Sequence, residues 1–213
     1  MQRNLSRSIL SLAVLAVAGL SSSAARAQTE MAPSVVPTSL GKMRLSLDIV
    51  PAPFGNLKLS AQGQEVSGDL AFAFGIRAAF DYSINDYLFV GFGPQILFNV
   101  IGKDAPSGSD SGKQYDLSAR VGGHAPIADN VHLYGFLAPG YSILSAPNPN
   151  SDAAKGFSLG IAVGALFSVP GTNFFLNGEL GYHMTFLTVS SGGSSLDVNT
   201  KFPLIALGGG VKL

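Results

Sequence analysis

Along most of this chain apolar residues recur at every second position, a period that puts one set of side chains on each face of a β-strand. The clearest run has Leu70, Phe72, Phe74, Ile76, Ala78, Phe80 and Tyr82 alternating with Ala71, Ala73, Gly75, Arg77, Ala79, Asp81 and Ser83. One parity is greasy; the other is small or charged. The same division separates Leu117, Ala119, Val121, Gly123 and Ala125 from Asp116, Ser118, Arg120, Gly122 and His124. It returns where Phe174, Leu176, Leu180, Tyr182, Met184 and Phe186 oppose Asn177, Glu179, Gly181, His183 and Thr185. Extended segments are also expected over residues 44–50, 87–100, 130–143, 157–169 and 201–213, which makes eight in all. In 130–143 both parities are largely apolar, so its facing stays open. Recurrent glycine and abundant β-branched and aromatic residues argue against helix. The class is all-β.

The joins between segments carry the next step. Three are tight turns, at 84–86, 128–130 and 170–173, and four are long and polar, at 51–68, 101–114, 144–156 and 189–200. Short and long joins alternate strictly, which gathers every long loop at one end of the sheet. An even strand count, short turns at one end, long loops at the other and an apolar-out, polar-in alternation are the marks of a membrane β-barrel. The expected architecture is therefore an eight-stranded antiparallel up-and-down transmembrane β-barrel over residues 43–213. Its first strand should pair with its last, because an open edge in lipid leaves backbone groups unsatisfied.

Composition agrees. Charged residues make up only 12% of the chain, against roughly 25% in soluble proteins, so something other than water is expected to cover part of the surface. Residues 1–27 read as a cleaved signal peptide: Arg3 and Arg7, an apolar run from Ile9 to Leu20, then Ala25-Arg26-Ala27. As a helix that run would span about 18 Å, short of a membrane core of roughly 30 Å. Removing Arg3, Arg7 and Arg26 leaves 10 basic and 13 acidic residues, which offers no basic surface for nucleic acid. Residues 28–42, with Pro33 and Pro37, read as a flexible periplasmic lead-in. The absence of cysteine excludes disulfides, thiolate metal sites and cysteine nucleophiles.

The units Gln114-Tyr115-Asp116-Leu117-Ser118-Ala119-Arg120-Val121-Gly122-Gly123 and Val131-His132-Leu133-Tyr134-Gly135-Phe136, with the closing strand Pro203 to Leu213, resemble the small eight-stranded outer-membrane barrels of the OmpA/OmpX type. That resemblance covers residues 43–213. It implies the outer membrane of a Gram-negative bacterium as the location, with outer-membrane lipid, lipopolysaccharide and the outer-membrane assembly machinery as partners. In such barrels the last strand is an assembly signal. Here Ile205, Leu207, Val211 and Leu213 keep its alternation, although Leu213 stands where the family has an aromatic residue.

An eight-stranded barrel has an interior that side chains can fill. The inward parity is expected to hold Arg44, Asp48, Arg77, Asp81, Asp116, Arg120, Glu179 and His183, a mixed-charge set suited to a polar plug. Two interfacial aromatic girdles are expected, one of Phe80, Tyr82, Tyr87, Phe167 and Phe174 near the short turns, the other of Phe98, Tyr141, Phe157, Phe186 and Phe202 near the long loops. No cofactor or metal is expected. Asp104, Asp110, Asp152 and Asp197 fit no cation loop, and Gly91-Phe92-Gly93 and Gly208-Gly209-Gly210 lie inside strand patterns with no following helix. His183 beside Glu179, and His124 beside Arg120, are the places where lipid-modifying catalysis could sit, and no Ser–His motif accompanies them. The leading expectation is a non-enzymatic, monomeric structural or surface-interaction barrel displaying four long loops. The alternatives are a narrow channel or carrier for small or apolar solutes, a lipid-modifying barrel enzyme and a soluble lipocalin-like carrier.

Overall fold

The computed structural model describes residues 40–106, 109–145, 152–191 and 194–213. The expected signal peptide and residues 28–39 of the lead-in lie outside the described residues. Ten antiparallel strands are formed: β1 (Met43–Ala52), β2 (Gly55–Ala61), β3 (Gln64–Leu70), β4 (Ala73–Ser83), β5 (Leu88–Val100), β6 (Gly112–Ala128), β7 (Val131–Ser145), β8 (Ala154–Ser168), β9 (Phe174–Ser191) and β10 (Ser194–Lys212). Eight close into a ring in the order β1-β4-β5-β6-β7-β8-β9-β10, and β1 pairs with β10 from Arg44↔Lys212 to Ile49↔Leu207. The ring satisfies the strand backbones without an edge at membrane depth.

The period-two pattern sets the facing. Leu45, Leu47 and Ile49 of β1 are exposed on the outside, whereas Arg44, Asp48 and Val50 are buried within. In β7, the strand whose facing the sequence left open, His132, Phe136, Ala138 and Ser142 point inward and Leu133, Leu137 and Tyr141 outward.

Two expected loops are largely strand. Residues 51–68 contain the β2–β3 hairpin, which pairs with the upper part of β10 from Lys201↔Asn56 to Asp197↔Ser60. Its two-residue turn, Gln62-Gly63, has positive φ at both positions (49° and 80°), the geometry that matches strand twist in tight hairpins. Residues 189–200 likewise continue the β9–β10 ladder up to Ser191↔Ser194. Leu70, placed by the sequence reading on the outer face of the second segment, ends β3 and lies inside. It packs there with Val50, Ala52, Ala73, Leu97, Val100, Phe202 and Ala206. Above these, Ala154, Leu187 and Val198 pack with Leu57, Leu59, Leu144, Val189 and Leu196. The long-loop half of the barrel thus has an apolar interior that continues beneath the hairpin. At the opposite mouth, Leu40 packs with Leu166 and Phe175.

Candidate functional site

The middle of the lumen is filled by charge, and strand register explains how. Arg44 and Asp48 are four residues apart on one face of β1, as are Arg77 and Asp81 on β4. Antiparallel pairing inverts the order, so Arg44 lies opposite Asp81 and Asp48 opposite Arg77. Directly opposed unlike charges are the favourable cross-strand arrangement. The Arg77 Nε and Nη2 groups donate to Asp48 Oδ2 at 3.0 and 2.7 Å, and Nη2 also donates to Glu179. Arg120 bridges Asp81, with Nε 3.1 Å from Oδ1, and Glu179, with Nη2 3.5 Å from Oε1. Arg44 is 3.7 Å from Asp81. Three guanidinium groups therefore face three carboxylates. Two of those cations also rest on rings, Arg120 4.0 Å from the Phe136 centroid and Arg44 5.1 Å from that of Phe89.

Glycines let these contacts reach past intervening strands. Gly208 lies between Asp48 and Asn177 in the ladder, and Asn177 Nδ2 donates across it to Asp48 Oδ1 at 2.9 Å. Gly164 lies between Tyr134 and Glu179, and the Tyr134 hydroxyl donates across it to Glu179 Oε1 at 2.8 Å. A Cβ at Gly208 would meet the Asp48 carboxylate, and one at Gly164 the Tyr134 ring.

Nearer the long loops lies a second cluster. Gln95 and Gln114 donate to Asp116 at 3.3 and 3.0 Å, the Ser142 hydroxyl donates to the same carboxylate, and His183 Nε2 is 3.4 Å from it. His183 stacks on Phe202, with centroids 5.6 Å apart. All eight residues proposed from sequence for the lumen point inward, but His183 meets Asp116 rather than Glu179. The Ser142 hydroxyl donates to the Asp116 carboxylate and not to an imidazole. Cavities of about 40 and about 20 Å³ lie among these side chains. A single water needs about 10–15 Å³ measured in this way, so each has room for only a few waters.

The outward aromatics fall at two levels. Tyr82, Tyr87, Phe167 and Phe174 are exposed near the short turns, with Phe80 half-buried beside Phe92; Tyr141, Phe157 and Phe186 are exposed near the other end, with Phe98 half-buried beside Phe74. Phe202 is a correction: it is only 2% exposed and lies in the lumen. It has the parity opposite to Ile205 and Leu207, and it sits opposite the inward His183 in the ladder. Leu207 and Leu213 are exposed outside, with Ile205 and Val211 half-buried. Sequence reasoning passed over Gln95, Gln114, Tyr134, Phe136, Ser142 and Asn177 as parts of the filling. Aligning the inward parities of neighbouring strands would have exposed them.

A model of the outer membrane protein beta-barrel domain matches residues 12–202. The chain belongs to that family. Its strands cross the outer membrane of a Gram-negative bacterium. Among solved structures it is similar to Neisserial surface protein A, at 19% identity over 81% of this chain and 98% of that one, with a TM-score of 0.51. It is also similar to outer membrane protein OprG from Pseudomonas aeruginosa, at 14% identity over 82% and 98%, with a TM-score of 0.54. At these identities the likeness concerns the fold. None of the curated proteins matches the chain.

Proposed function

We propose that this protein is a monomeric, non-enzymatic structural or surface-interaction barrel with a closed lumen. Its lipid-facing strands anchor the β2–β3 hairpin and the extended β9–β10 ladder at the cell surface. The observation that carries this reading is that three layers of side chains occupy the interior, with only small cavities between them. A network of three arginines and three acids occupies the middle, the Asp116 cluster lies above it, and the apolar layer around Leu97 and Phe202 lies above that. The two aromatic levels serve as interfacial belts, the one near the long loops meeting lipopolysaccharide, and the outward alternation of Ile205, Leu207, Val211 and Leu213 serves recognition by the assembly machinery. Residues 1–27 act as the export signal and 28–42 as the periplasmic lead-in.

Two measurements test this reading. Purified protein in planar bilayers should give no steady conductance steps, and sustained steps would make it a channel. The chain has no cysteine, so single replacements report orientation cleanly. Val66→Cys on β3 should react with a membrane-impermeant maleimide on whole cells, whereas Asn85→Cys in a short turn should not. The reverse pattern would invert the barrel and end the surface role.

A further inference from the structure

We propose that His124 and His132 form a binding site for one transition-metal ion, Cu²⁺ ahead of Zn²⁺ or Ni²⁺, at the periplasmic mouth of the lumen. Both residues have inward parity on adjacent strands. His124 lies opposite Tyr134 and His132 opposite Pro126, which makes the two histidines diagonal neighbours across the β6–β7 ladder. Such pairs lie within reach of long side chains. Their ring centroids are 6.1 Å apart, with planes inclined at 65°.

The case rests on unsatisfied nitrogen. His124 and His132 are 8% and 3% exposed, yet His124 Nδ1 and Nε2 and His132 Nδ1 have no hydrogen-bond partner among the described residues. The neighbouring ring is Phe89, 6.3 Å from His124, which offers no conventional acceptor. A buried imidazole normally has both ring nitrogens engaged, and one left bare points to a missing water or ion. Three bare nitrogens in one pair concentrate that demand at one place. With metal–nitrogen bonds of about 2.0–2.1 Å, two imidazoles on one ion have ring centres about 4.5 Å apart at a right angle, about 5.2 Å at a tetrahedral angle and about 6.4 Å when trans. The observed 6.1 Å lies near the trans limit, which suits the tetragonal geometry of Cu²⁺ better than a tetrahedral Zn²⁺ site.

Imidazole favours copper, zinc and nickel, and among divalent ions Cu²⁺ binds such ligands most strongly. Two protein ligands leave the remaining positions to water. Arg44 places positive charge near both histidines and Lys212 adds to it at His132, while Asp86, in the turn preceding β5, offsets part of it at His124 only. Arg44 is itself held by Asp81 and by the face of Phe89. The site is accordingly expected to be weaker than a closed three-ligand one.

The test is a Cu²⁺ titration of untagged protein purified from outer membranes in detergent, followed by electron paramagnetic resonance. One equivalent should bind with the hyperfine pattern of two imidazole nitrogens. His124→Gln and His132→Gln, which keep bulk and polarity, should each weaken binding at least tenfold. His183→Gln, on the far side of the ion-pair layer, should leave it unchanged. Heat-dependent gel mobility verifies that each variant is folded. No nitrogen-coordinated Cu²⁺ at one equivalent in the wild-type protein would overturn the site, whatever the variants do, and so would undiminished binding in the double variant.

Discussion

Replacing Arg77 with Met keeps much of the side-chain length and removes the charge. The substitution strips Asp48 of two charge-assisted hydrogen bonds, at 3.0 and 2.7 Å, and Glu179 of its closest cation. Both carboxylates stay buried, with side chains 0% and 3% exposed. Asp48 keeps the amide of Asn177, and Glu179 keeps the Tyr134 hydroxyl and the more distant Arg120. Removing one partner of a buried pair costs about 3–5 kcal/mol, because the charge left behind is neither hydrated nor neutralised. Two acceptors share the loss here and both retain other donors, so about 4 kcal/mol is expected. Adding Asp48→Asn removes the stranded charge and leaves a side chain that can still accept from Asn177. The double variant should therefore be more stable than the sum of the single losses, with a coupling of about 1–3 kcal/mol. The assay is urea unfolding in lipid vesicles followed by far-ultraviolet circular dichroism and gel mobility, since the chain lacks tryptophan. A loss below about 1 kcal/mol for Arg77→Met, or strictly additive losses, would refute the view that coupled ion pairs hold the lumen together.

Exposure means lipid on the barrel wall and water on the hairpin, and two arginine substitutions separate the cases. Leu47→Arg, at a side chain 64% exposed in the middle of β1, should cost about 2–4 kcal/mol in vesicles. Val66→Arg, at 67% exposure on β3, should stay within about 0.5 kcal/mol; equal costs at the two positions would show that the wall does not face lipid. Gly208→Ala should destabilise the closing seam by about 1–3 kcal/mol through overpacking against Leu47 and Asp48. Gly68→Ala, whose added methyl meets nothing within 4 Å, should be nearly neutral in the same unfolding assay.

The barrel wall was legible in the sequence because one face of each strand meets lipid and the other a polar interior, and that contrast leaves a period-two record. Where the contrast fades, so does the record. In β7 the inward positions are His132, Tyr134, Phe136 and Ala138, nearly as apolar as the outward ones, and only pairing with β6 and β8 settles which set fills the lumen. Phe202 misled for the same reason: the long-loop half of the interior is apolar, so an inward aromatic there reads like a girdle residue. The β2–β3 hairpin did carry a signal, Leu57 and Leu59 alternating with Asn56, Lys58 and Ser60 ahead of Gln62-Gly63. It is short, and it lies among residues that otherwise suit a loop. The ion-pair network was legible in kind but not in connection. That Arg44 faces Asp81 and Asp48 faces Arg77 follows from two four-residue spacings once the register is known. Glu179 lies two strands away from Arg77's neighbour β1 around the ring, and its contact depends on the size of the barrel. Periodicity along a strand reports which face a residue occupies; only closure of the ring decides which charges meet across the lumen.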